Sequence, residues 1–362
     1  MINHRLDIYD TAGVLQYRTD DFLKLGCVKR VNYPGLVTVE LSGESAIPSN
    51  IADKWQIEVW RQPEGQTWAK EITGIYRKGD WEQPVISRAV LTAKGLLSML
   101  GWRIVAYPAG TTDRSKFINT AAETIANTLV KYNATASGTL LDGRKRVATI
   151  AGLSVEADGA DGNLEDWYCA WDNLLVTLQE LALIGGGDFD LVKLTPTTWE
   201  YRWYLGQLGT DRSASVFFSM GIGNMAIPKY GIDGMNAASV AIVGGKGEGI
   251  NRMVEVVNGG DYNVTSNNIE FFVNATDVDT ADGLIARGEQ KLTEKVIKQY
   301  FNFDILQTPD CSYGVHYFLG DLVSAINPFT LVMATYKVEQ AALMIDRTGD
   351  VPEKVDITLL KV

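Results

Sequence analysis

The sequence predicts a β-rich α+β fold, in which two strand-rich regions flank a mixed region of helices and strands. Short runs of β-branched and aromatic residues, separated by Gly and Pro turns, fill about the first 100 residues and return from residue 207 onward. The middle of the chain instead has apolar residues at helical spacing. With 362 residues, of which 46% are hydrophobic, the chain can bury large cores without disulfides.

The first region, residues 1–105, is expected to form a barrel-like domain of short strands. Residues 55–60 alternate, with Trp55, Ile57 and Val59 on one face, which is the period of a half-buried strand. The other strand-like runs are residues 36–41, 70–76 and 85–92. Turns rich in Pro and Gly separate these runs. Several short strands at this spacing indicate a barrel or a sandwich.

The second region, residues 106–206, is predicted to be an α+β domain. Apolar residues recur every four positions at Phe117, Ala121, Ile125 and Leu129. This spacing predicts an amphipathic helix, with Asp113 or Ser115 as its N-cap.

A second helix is predicted over residues 164–184, with Asn163 as its N-cap and the glycines at 185–187 as its end. Its apolar stripe comprises Trp167, Trp171, Leu174, Leu175, Leu178, Leu181 and Ala182. Two strands follow, at residues 190–194 and 199–205. In the second of these strands, one face carries Trp199, Tyr201, Trp203 and Leu205.

The third region, residues 207–362, is expected to form a second barrel-like domain with one helix at about residues 280–300. The expected strands are residues 215–219, 239–243, 252–257, 269–273, 319–326, 331–338 and 355–360. The residues expected on the inner face of the helix are Leu284, Ile285, Gly288, Leu292 and Val296. Glu294 and Lys298 are spaced as a favourable i,i+4 pair on the same helix.

Charge and composition exclude several classes of protein. The chain has 33 Lys and Arg against 44 Asp and Glu, a net charge of −11, which disfavours binding to a phosphate backbone. With two histidines, a multi-His metal site cannot be built. The three cysteines, Cys27, Cys169 and Cys311, are far apart and indicate reduced, buried thiols. No signal peptide and no run of about 18 apolar residues is found, so a membrane span is not expected.

The most enzyme-like segment is a glycine-rich loop. It consists of Gly244, Gly245, Lys246, Gly247, Glu248 and Gly249. A phosphate-binding loop needs a helix N-terminus behind it and usually a Ser or Thr after the lysine. Here a glycine follows Lys246, and a strand is predicted next. The loop is therefore expected to be structural, at an inter-subunit contact or a channel, and no catalytic, cofactor or metal residue is expected.

Two weaker candidates also have simple structural explanations. Residues 158–163 crowd oxygen ligands around glycines but miss the spacing of a calcium loop. Asp188 and Asp190 could form the carboxylate pair of a glycoside hydrolase, yet side chains two apart on a strand share a face and repel. His316 lies in an aromatic run and is expected to be structural. The alternative function is a carbohydrate-binding or carbohydrate-active β-protein that uses these two aspartates and surface tryptophans.

Four segments together resemble the tail-hub proteins of long-tailed bacteriophages, the baseplate hub or tail-tip proteins that cap the tail tube. Residues 80–100 resemble the family's strand followed by a short G-L-L-x-x-L helix. Residues 205–225 resemble its G-x-D-R-S, V-x-F-S and G-N segment. Residues 243–252 resemble its G-G-x-G-E-G-x-x-R loop, and residues 319–323 its L-G-D-x-V strand entry. The first 80 residues are similar only in being strand-rich.

The resemblance implies two tube-forming β-barrel domains joined by outer α+β elements. Three subunits then supply six barrel domains, so that a homotrimer can match a six-fold tail tube. It also implies a structural virion protein and not an enzyme. Such a hub caps the tube, adapts the six-fold tube to a three-fold tip and forms part of the DNA ejection channel.

The resemblance also implies partners and a location. The expected partners are further copies of the chain, distal tail and tube proteins, the tape-measure protein, and tip spike or fibre proteins. DNA is expected to pass transiently without stable binding, because an acidic lining repels phosphates. The expected location is the distal end of the virion tail, after assembly in the host cytoplasm. Since the sequence stops after the strand at 355–360, any hydrolase or receptor-binding activity is expected in another subunit.

Overall fold

Strands dominate the structure, as the sequence predicts. The computed structural model describes residues 2–82, 87–106, 114–137, 149–347 and 353–362, which form 21 strands and four α-helices. The N-terminal strands are β1 (Asn3–Tyr9), β2 (Leu15–Thr19), β3 (Lys24–Arg30), β4 (Tyr33–Ser42), β5 (Gln56–Gln62), β6 (Ala69–Glu82) and β7 (Arg88–Gly95). A single-turn helix, α1 (Ile47–Asn50), lies between β4 and β5. The predicted strand runs overlap β4 to β7, except that residues 85–86 lie outside the described residues.

The middle segment, residues 96–206, contains two helices and two small sheets. It begins with a 3₁₀ turn, Leu96–Trp102. Its elements are β8 (Ser115–Ala121), α2 (Ala122–Ala134), β9 (Leu153–Val155), β10 (Leu164–Cys169), α3 (Leu174–Gly185), β11 (Gly187–Thr195) and β12 (Thr198–Leu205). β8 pairs with β10, and β12 lies between β9 and β11. The two helices pack with both sheets around a core of their own.

The remaining elements are the C-terminal strands and an insertion between two of them. The C-terminal strands are β13 (Phe217–Phe218), β14 (Met225–Asp233), β18 (Lys298–Ile305), β19 (Leu322–Asn327), β20 (Val332–Asp346) and β21 (Lys354–Lys361). Between β14 and β18 the chain forms the insertion, residues 234–297. The insertion contains β15 (Val240–Gly244), β16 (Val254–Asn258), β17 (Glu270–Asn274) and α4 (Ala281–Thr293). α4 packs on one side of the three-stranded sheet.

One sheet of 13 strands contains both the N-terminal and the C-terminal strands. Its main path runs β14-β18-β21-β20-β3-β4-β7-β6-β5-β1-β2. The two halves meet where β20 pairs antiparallel with β3, and Leu343 lies opposite Cys27 at this junction. Both side chains are buried in a core that the two halves share. The start and the end of the chain therefore fold as one unit.

Buried charges cross the junction between the two halves. Arg61 of β5 donates two hydrogen bonds to Glu353, at 2.6 and 2.9 Å, and a third to the carbonyl of Tyr313 at 2.7 Å. His4 lies 2.6 Å from the same carboxylate. Burial alone raises the pKa of Glu353, but the hydrogen bonds from His4 and Arg61 outweigh it and hold the pKa at about 2. These contacts fix the first strands of the chain to the last one.

Two helices of the middle segment begin later than the sequence predicts. Residues 115–121 form β8, so that Ser115 lies in a strand and α2 starts at Ala122; Asp113 lies outside the described residues. Residues 164–169 form β10, and α3 starts at Leu174 with Asn173, not Asn163, as its N-cap. β8 and β10 pair with each other across some fifty residues. A pairing of this range overrides the local helical spacing of apolar residues.

Helix α4 is shorter than the sequence predicts. It starts after Thr280, whose hydroxyl accepts a hydrogen bond from Gly283, and it ends at Thr293. Lys298 begins β18, so Lys298 and Glu294 do not form a helical pair; Glu294 pairs with Lys291 instead. Of the five residues expected to face inward, three are buried: Leu284, Gly288 and Leu292. Ile285 and Val296 are exposed.

The cysteines and the helices agree with two expectations from composition. Cys27, Cys169 and Cys311 are all buried, and none forms a disulfide. Burial raises the pKa of the Cys27 and Cys169 thiols to about 12, which keeps them protonated and unreactive. Across the described ranges, no helix is both long and apolar enough to cross a membrane.

Replacement of Glu353 by Gln tests the charge junction. The change leaves Arg61 buried without its counter-charge, so we expect a loss of about 3–5 kcal/mol of unfolding free energy at pH 7, measured by urea denaturation. Because the pKa of Glu353 is lowered from 4.5 to about 2, its contribution is present above pH 4.5 and disappears as the pH falls toward 2.

Glu82→Gln is the matched control, because Glu82 pairs with Arg88 on an exposed surface, and such pairs contribute about 1 kcal/mol or less. Equal stability losses for the two variants would contradict the role assigned to the buried junction.

Candidate functional site

The long sheet has one buried face and one polar face. Leu25, Val39 and Ile345 point into the shared core, whereas their strand neighbours point outward. The polar face follows the cross-strand register: Asp346, Lys24, Glu40, Val90 and Asp80 lie side by side on five consecutive strands. A parallel row contains Asp304, Asp356, Ala342, Val28, Leu36 and Lys94. The result is a broad polar surface that extends across both halves of the chain.

Most cations of the polar face are paired with carboxylates of the same face, although Lys94 has no ion pair among the described residues. The pairs are Lys24–Asp346 (3.2 Å), Lys78–Asp80 (2.7 Å), Arg88–Glu82 (2.6 Å), Lys354–Asp356 (3.0 Å) and Lys354–Asp304 (3.6 Å). Exposed pairs of this kind add little stability. They do neutralise positive charges that would attract a phosphate backbone, so the pairing disfavours the binding of nucleic acid to this face.

Asp188 is buried, and its contacts join three parts of the chain. Its carboxylate accepts hydrogen bonds from the Asn32 side chain and the Leu208 backbone N–H, both at 2.9 Å. Lys337 of β20 lies 2.9 and 3.1 Å from its two oxygens. Asn32 in turn accepts from the backbone N–H of Phe189. The carboxylate is saturated by structural partners, which leaves it unsuited to the catalytic role considered from the sequence.

Asp190 has a different environment from Asp188. It lines a cavity of about 270 Å³ between the N-terminal strands and the middle segment, together with Lys29 and Lys193. Lys29 is paired with Glu71, and Lys193 with Glu58 at 2.9 Å. Burial raises the pKa of Asp190 to about 6, although its hydrogen bond from Leu191 and the charge of Lys29 lower it. The two aspartates therefore do not act as a matched pair.

Two of the segments that carry the phage resemblance meet at Asp321. This buried carboxylate accepts hydrogen bonds from the N–H groups of Thr210 and Phe318, at 2.7 and 2.8 Å, and from Arg212 at 2.8 Å. A Cβ at Gly209 would collide with Asp321, so a glycine is required there. The G-x-D-R-S and L-G-D-x-V segments are thus two sides of one structural contact.

Two other parts of the resemblance segments also have structural roles. Asn224 bridges the carbonyl of Phe217 and the N–H of Ser219, at 2.7 and 2.9 Å. In the turn that follows β7, Leu97 and Leu100 pack into the core of the middle segment. These residues hold turns and domain contacts, and none of them points a reactive group into a cleft.

The glycine-rich loop joins β15 to β16, as expected for a loop between strands. The backbone N–H of Gly245 donates to Met253, and that of Lys246 donates to Val278. Arg252 donates to the carbonyls of Gly244 and Gly245, at 2.9 and 3.2 Å. The other loop residues from the sequence prediction, Gly247, Glu248 and Gly249, are exposed. The amides of Gly245 and Lys246 are occupied by the protein's own carbonyls, and the lysine side chain is exposed.

The remaining sequence candidates have structural roles. In the loop at 158–163, Asp158 accepts from Ala160 and Thr124, and Glu123 accepts from Gly159 and Asp161. His316 accepts from the backbone N–H of Ser312 at 3.0 Å. In the part of the chain that the structure describes, no group of three or more His, Cys, Asp and Glu side chains could hold a metal ion.

A family model matches residues 5–359, which is almost the whole chain, and its description is Siphovirus ReqiPepy6 Gp37-like protein. The chain belongs to this family. No curated protein matches the sequence. The family match includes the first 80 residues, where the sequence patterns alone indicate only strands.

Solved structures of phage tail proteins have a similar fold. One is the 43 kDa tail protein of prophage MuSo2 from Shewanella oneidensis, with a TM-score of 0.59, 14% identity, and coverage of 99% of this chain and 98% of that one. Another is the tail protein from Neisseria meningitidis MC58, with a TM-score of 0.57, 12% identity, and coverage of 99% and 96%. The resemblance to phage tail proteins is therefore confirmed at the level of family and fold.

A third similar structure belongs to a larger protein. It is a half-lidded PdpA-VgrG complex from Francisella, with a TM-score of 0.54 and 9% identity. The match covers 100% of this chain and 58% of that one. At these identities the likeness concerns the fold alone.

The sequence did not reveal the residues that join the regions. Arg61 and Glu353 are 292 positions apart, and Asp188 and Lys337 are 149 apart. No local pattern marks such pairs. The polar face could have been found, because the alternation of Lys24, Thr38 and Glu40 with buried apolar neighbours is the period-2 pattern of a sheet with one wet face.

Replacement of Asp190 by Asn is expected to stabilise the protein at pH 8. A carboxyl whose pKa is raised from 3.8 to about 6 contributes fully at low pH and loses that contribution as the pH rises through 6. The variant should therefore melt several degrees above the wild type at pH 8, and the gain should vanish below pH 4.

Asp188→Asn, two residues away on the same strand, is the control. It removes the partner of Lys337 and should lower the melting temperature at pH 8. If Asp190→Asn also lowers the melting temperature at pH 8, the assigned burial of Asp190 is wrong.

Proposed function

We propose that the chain is the structural hub of a phage tail, which caps the distal end of the tail tube and lines part of the DNA path. The polar face carries this proposal. It extends across both halves of the chain on one continuous sheet, and most of its cations are paired with neighbouring carboxylates. A surface of this kind suits a lining that DNA must pass without sticking.

A homotrimer is part of the proposal. The two tube-forming barrels that the resemblance implies correspond, in this account, to the N-terminal and C-terminal strands, which join at β3 and β20. Three copies then present six strand-rich units around an axis, which allows the six-fold tube to meet a three-fold tip. The middle segment and the insertion lie on the outside of the ring in this arrangement.

The partners follow from that position. The tube and distal tail proteins bind above the ring, the tape-measure protein ends inside it, and a spike or fibre protein binds below. The fold shared with a complex that contains VgrG supports a tip partner. The protein itself performs no catalysis in this proposal, because the structural contacts of Asp188 remove the matched carboxylate pair that a glycosidase needs. Assembly takes place in the host cytoplasm, which agrees with three reduced cysteines.

The first test is the mass of the assembly. We expect the purified chain, mixed with the neighbouring tail proteins, to sediment with three copies of the 39.8 kDa chain per complex. The measurement is analytical ultracentrifugation with a labelled chain, and sedimentation equilibrium gives the copy number. A chain that stays monomeric at micromolar concentration in the presence of these proteins contradicts the hub.

The second test reverses charges on the polar face. Glu40→Lys combined with Asp356→Lys removes two carboxylates and adds two cations to this face. We expect phage that carry the double variant to assemble but to release DNA several-fold more slowly at low salt, because unpaired lysines hold phosphates. High salt should restore the rate.

Asp21→Lys combined with Asp261→Lys is the matched control, because both residues are exposed and neither lies in a strand of the polar face. Unchanged DNA release in the Glu40 and Asp356 variant, or an equal delay in the control, would contradict the proposed lining.

A further inference from the structure

The insertion has an exposed apolar sheet surface, at whose edge the guanidinium of Arg252 lies 5.2 Å from the centroid of the Phe272 ring. In the register of β15, β16 and β17, Ile242 lies beside Val256 and Phe272, and Val254 is in the next row. Val256 is 61% exposed and Phe272 is 56% exposed, although α4 covers the opposite side of the same sheet. We call these four residues the insertion face. Ile250, in the adjoining loop, is fully exposed.

The three strands of the insertion are apolar on both sides. Their sequences are VAIVG, VEVVN and EFFVN. A sheet with one face in water normally alternates apolar and polar residues, whereas a nearly continuous apolar run is typical of a sheet covered on both faces. The polar face of the long sheet shows how this chain builds a wet surface, with charges at such positions. The composition of the insertion face therefore indicates a partner.

We propose that the insertion face docks on the N-terminal strands of a second copy of this chain. The inference rests on the trimer of the proposed function and names one of its interfaces. The charges of the regions indicate which surface of the second copy the insertion contacts. The insertion has five Lys and Arg against nine Asp and Glu, whereas residues 1–105 have 13 against 12. Residues 106–206 have eight against 13. The N-terminal region is thus the part of the chain that least repels the insertion.

The N-terminal region also has a surface suited to this contact. Trp81 is 56% exposed, and Trp102 is partly exposed beneath the guanidinium of Arg77, which lies 5.7 Å from the ring centroid. Trp and Arg are the residues that most often dominate interface energies. Arg77 is exposed, and its only ion pair among the described residues is with the exposed side chain of Asp53, at 3.1 Å. Glu248 and Glu270, both exposed at the ends of the insertion face, can therefore pair with Arg77.

A contact between two different surfaces of the same chain closes into a ring when the rotation between neighbouring copies closes, which in the proposed trimer is a three-fold rotation. Each copy then offers its insertion face to one neighbour and its tryptophan surface to the other. The glycine-rich loop borders the insertion face, because Gly244 lies in the same sheet row as Val254. This places the exposed Lys246 at the edge of the contact between copies.

Val256→Arg tests the contact directly. Val256 is exposed in the single chain, so the variant should keep the far-ultraviolet circular dichroism and melting temperature of the isolated chain. We expect it to weaken trimer formation at least tenfold in sedimentation experiments with the neighbouring tail proteins. Val264→Arg is the matched control, because Val264 is 84% exposed in the same insertion but lies outside its sheet, and this variant should assemble as the wild type does.

A charge exchange identifies the opposing surface. Glu270→Arg and Arg77→Glu should each weaken the trimer several-fold, and the double variant should recover most of the loss. Failure of the double variant to recover overturns the assignment of the N-terminal region.

The outcomes separate the inference from the proposed function. If the wild type forms a trimer and Val256→Arg forms it equally well, the inference is wrong and the hub stands. The same holds if Val256→Arg trimerises but loses a different tail protein, because the occupant is then not a second copy. If the wild type does not trimerise, the proposed function fails and the inference fails with it.

Discussion

The pairing of β3 with β20 is the constraint on which the rest of the structure depends. It joins the start and the end of a 362-residue chain in one sheet and places their apolar side chains in one core. The buried contact of Arg61 with Glu353 also joins the two halves of the chain. Removal of either partner would leave an unpaired charge in the core, which is strongly destabilising. The middle segment and the insertion extend from this shared sheet.

The continuity of the sheet gives the molecule its two kinds of exposed surface. Because β3 pairs with β20, the outward side chains of both halves form a single, mostly polar face on which most charges are paired. The insertion, which extends from between two strands of this sheet, has the opposite character, with aliphatic and aromatic residues facing outward. In the proposed ring, the polar face would line the inner side, and the apolar face of the insertion would form the contact between copies.

The sequence predicts the strands and the order of the regions better than it predicts helix starts or contacts. Alternation in residues such as Trp55, Ile57 and Val59 is local, so a strand can be predicted there directly. The expectation of a half-buried strand is wrong, because Gln56 and Glu58 on the other face are buried by contacts with the middle segment. The start of α4 after Thr280 is local as well. The starts of α2 and α3 were predicted too early, because β8 and β10 are strands only when they pair with each other. The roles of Asp188 and Glu353 depend on residues more than a hundred positions away, and spacing in the sequence cannot indicate them.

The most direct test of this account is an image of the tail tip of intact particles by cryo-electron microscopy, at a resolution that separates strands. The account predicts three copies of the chain around the axis, with Glu40 and Asp356 of the polar face turned toward the lumen and the insertion on the outside. A copy number other than three, or a polar face turned away from the lumen, would contradict it.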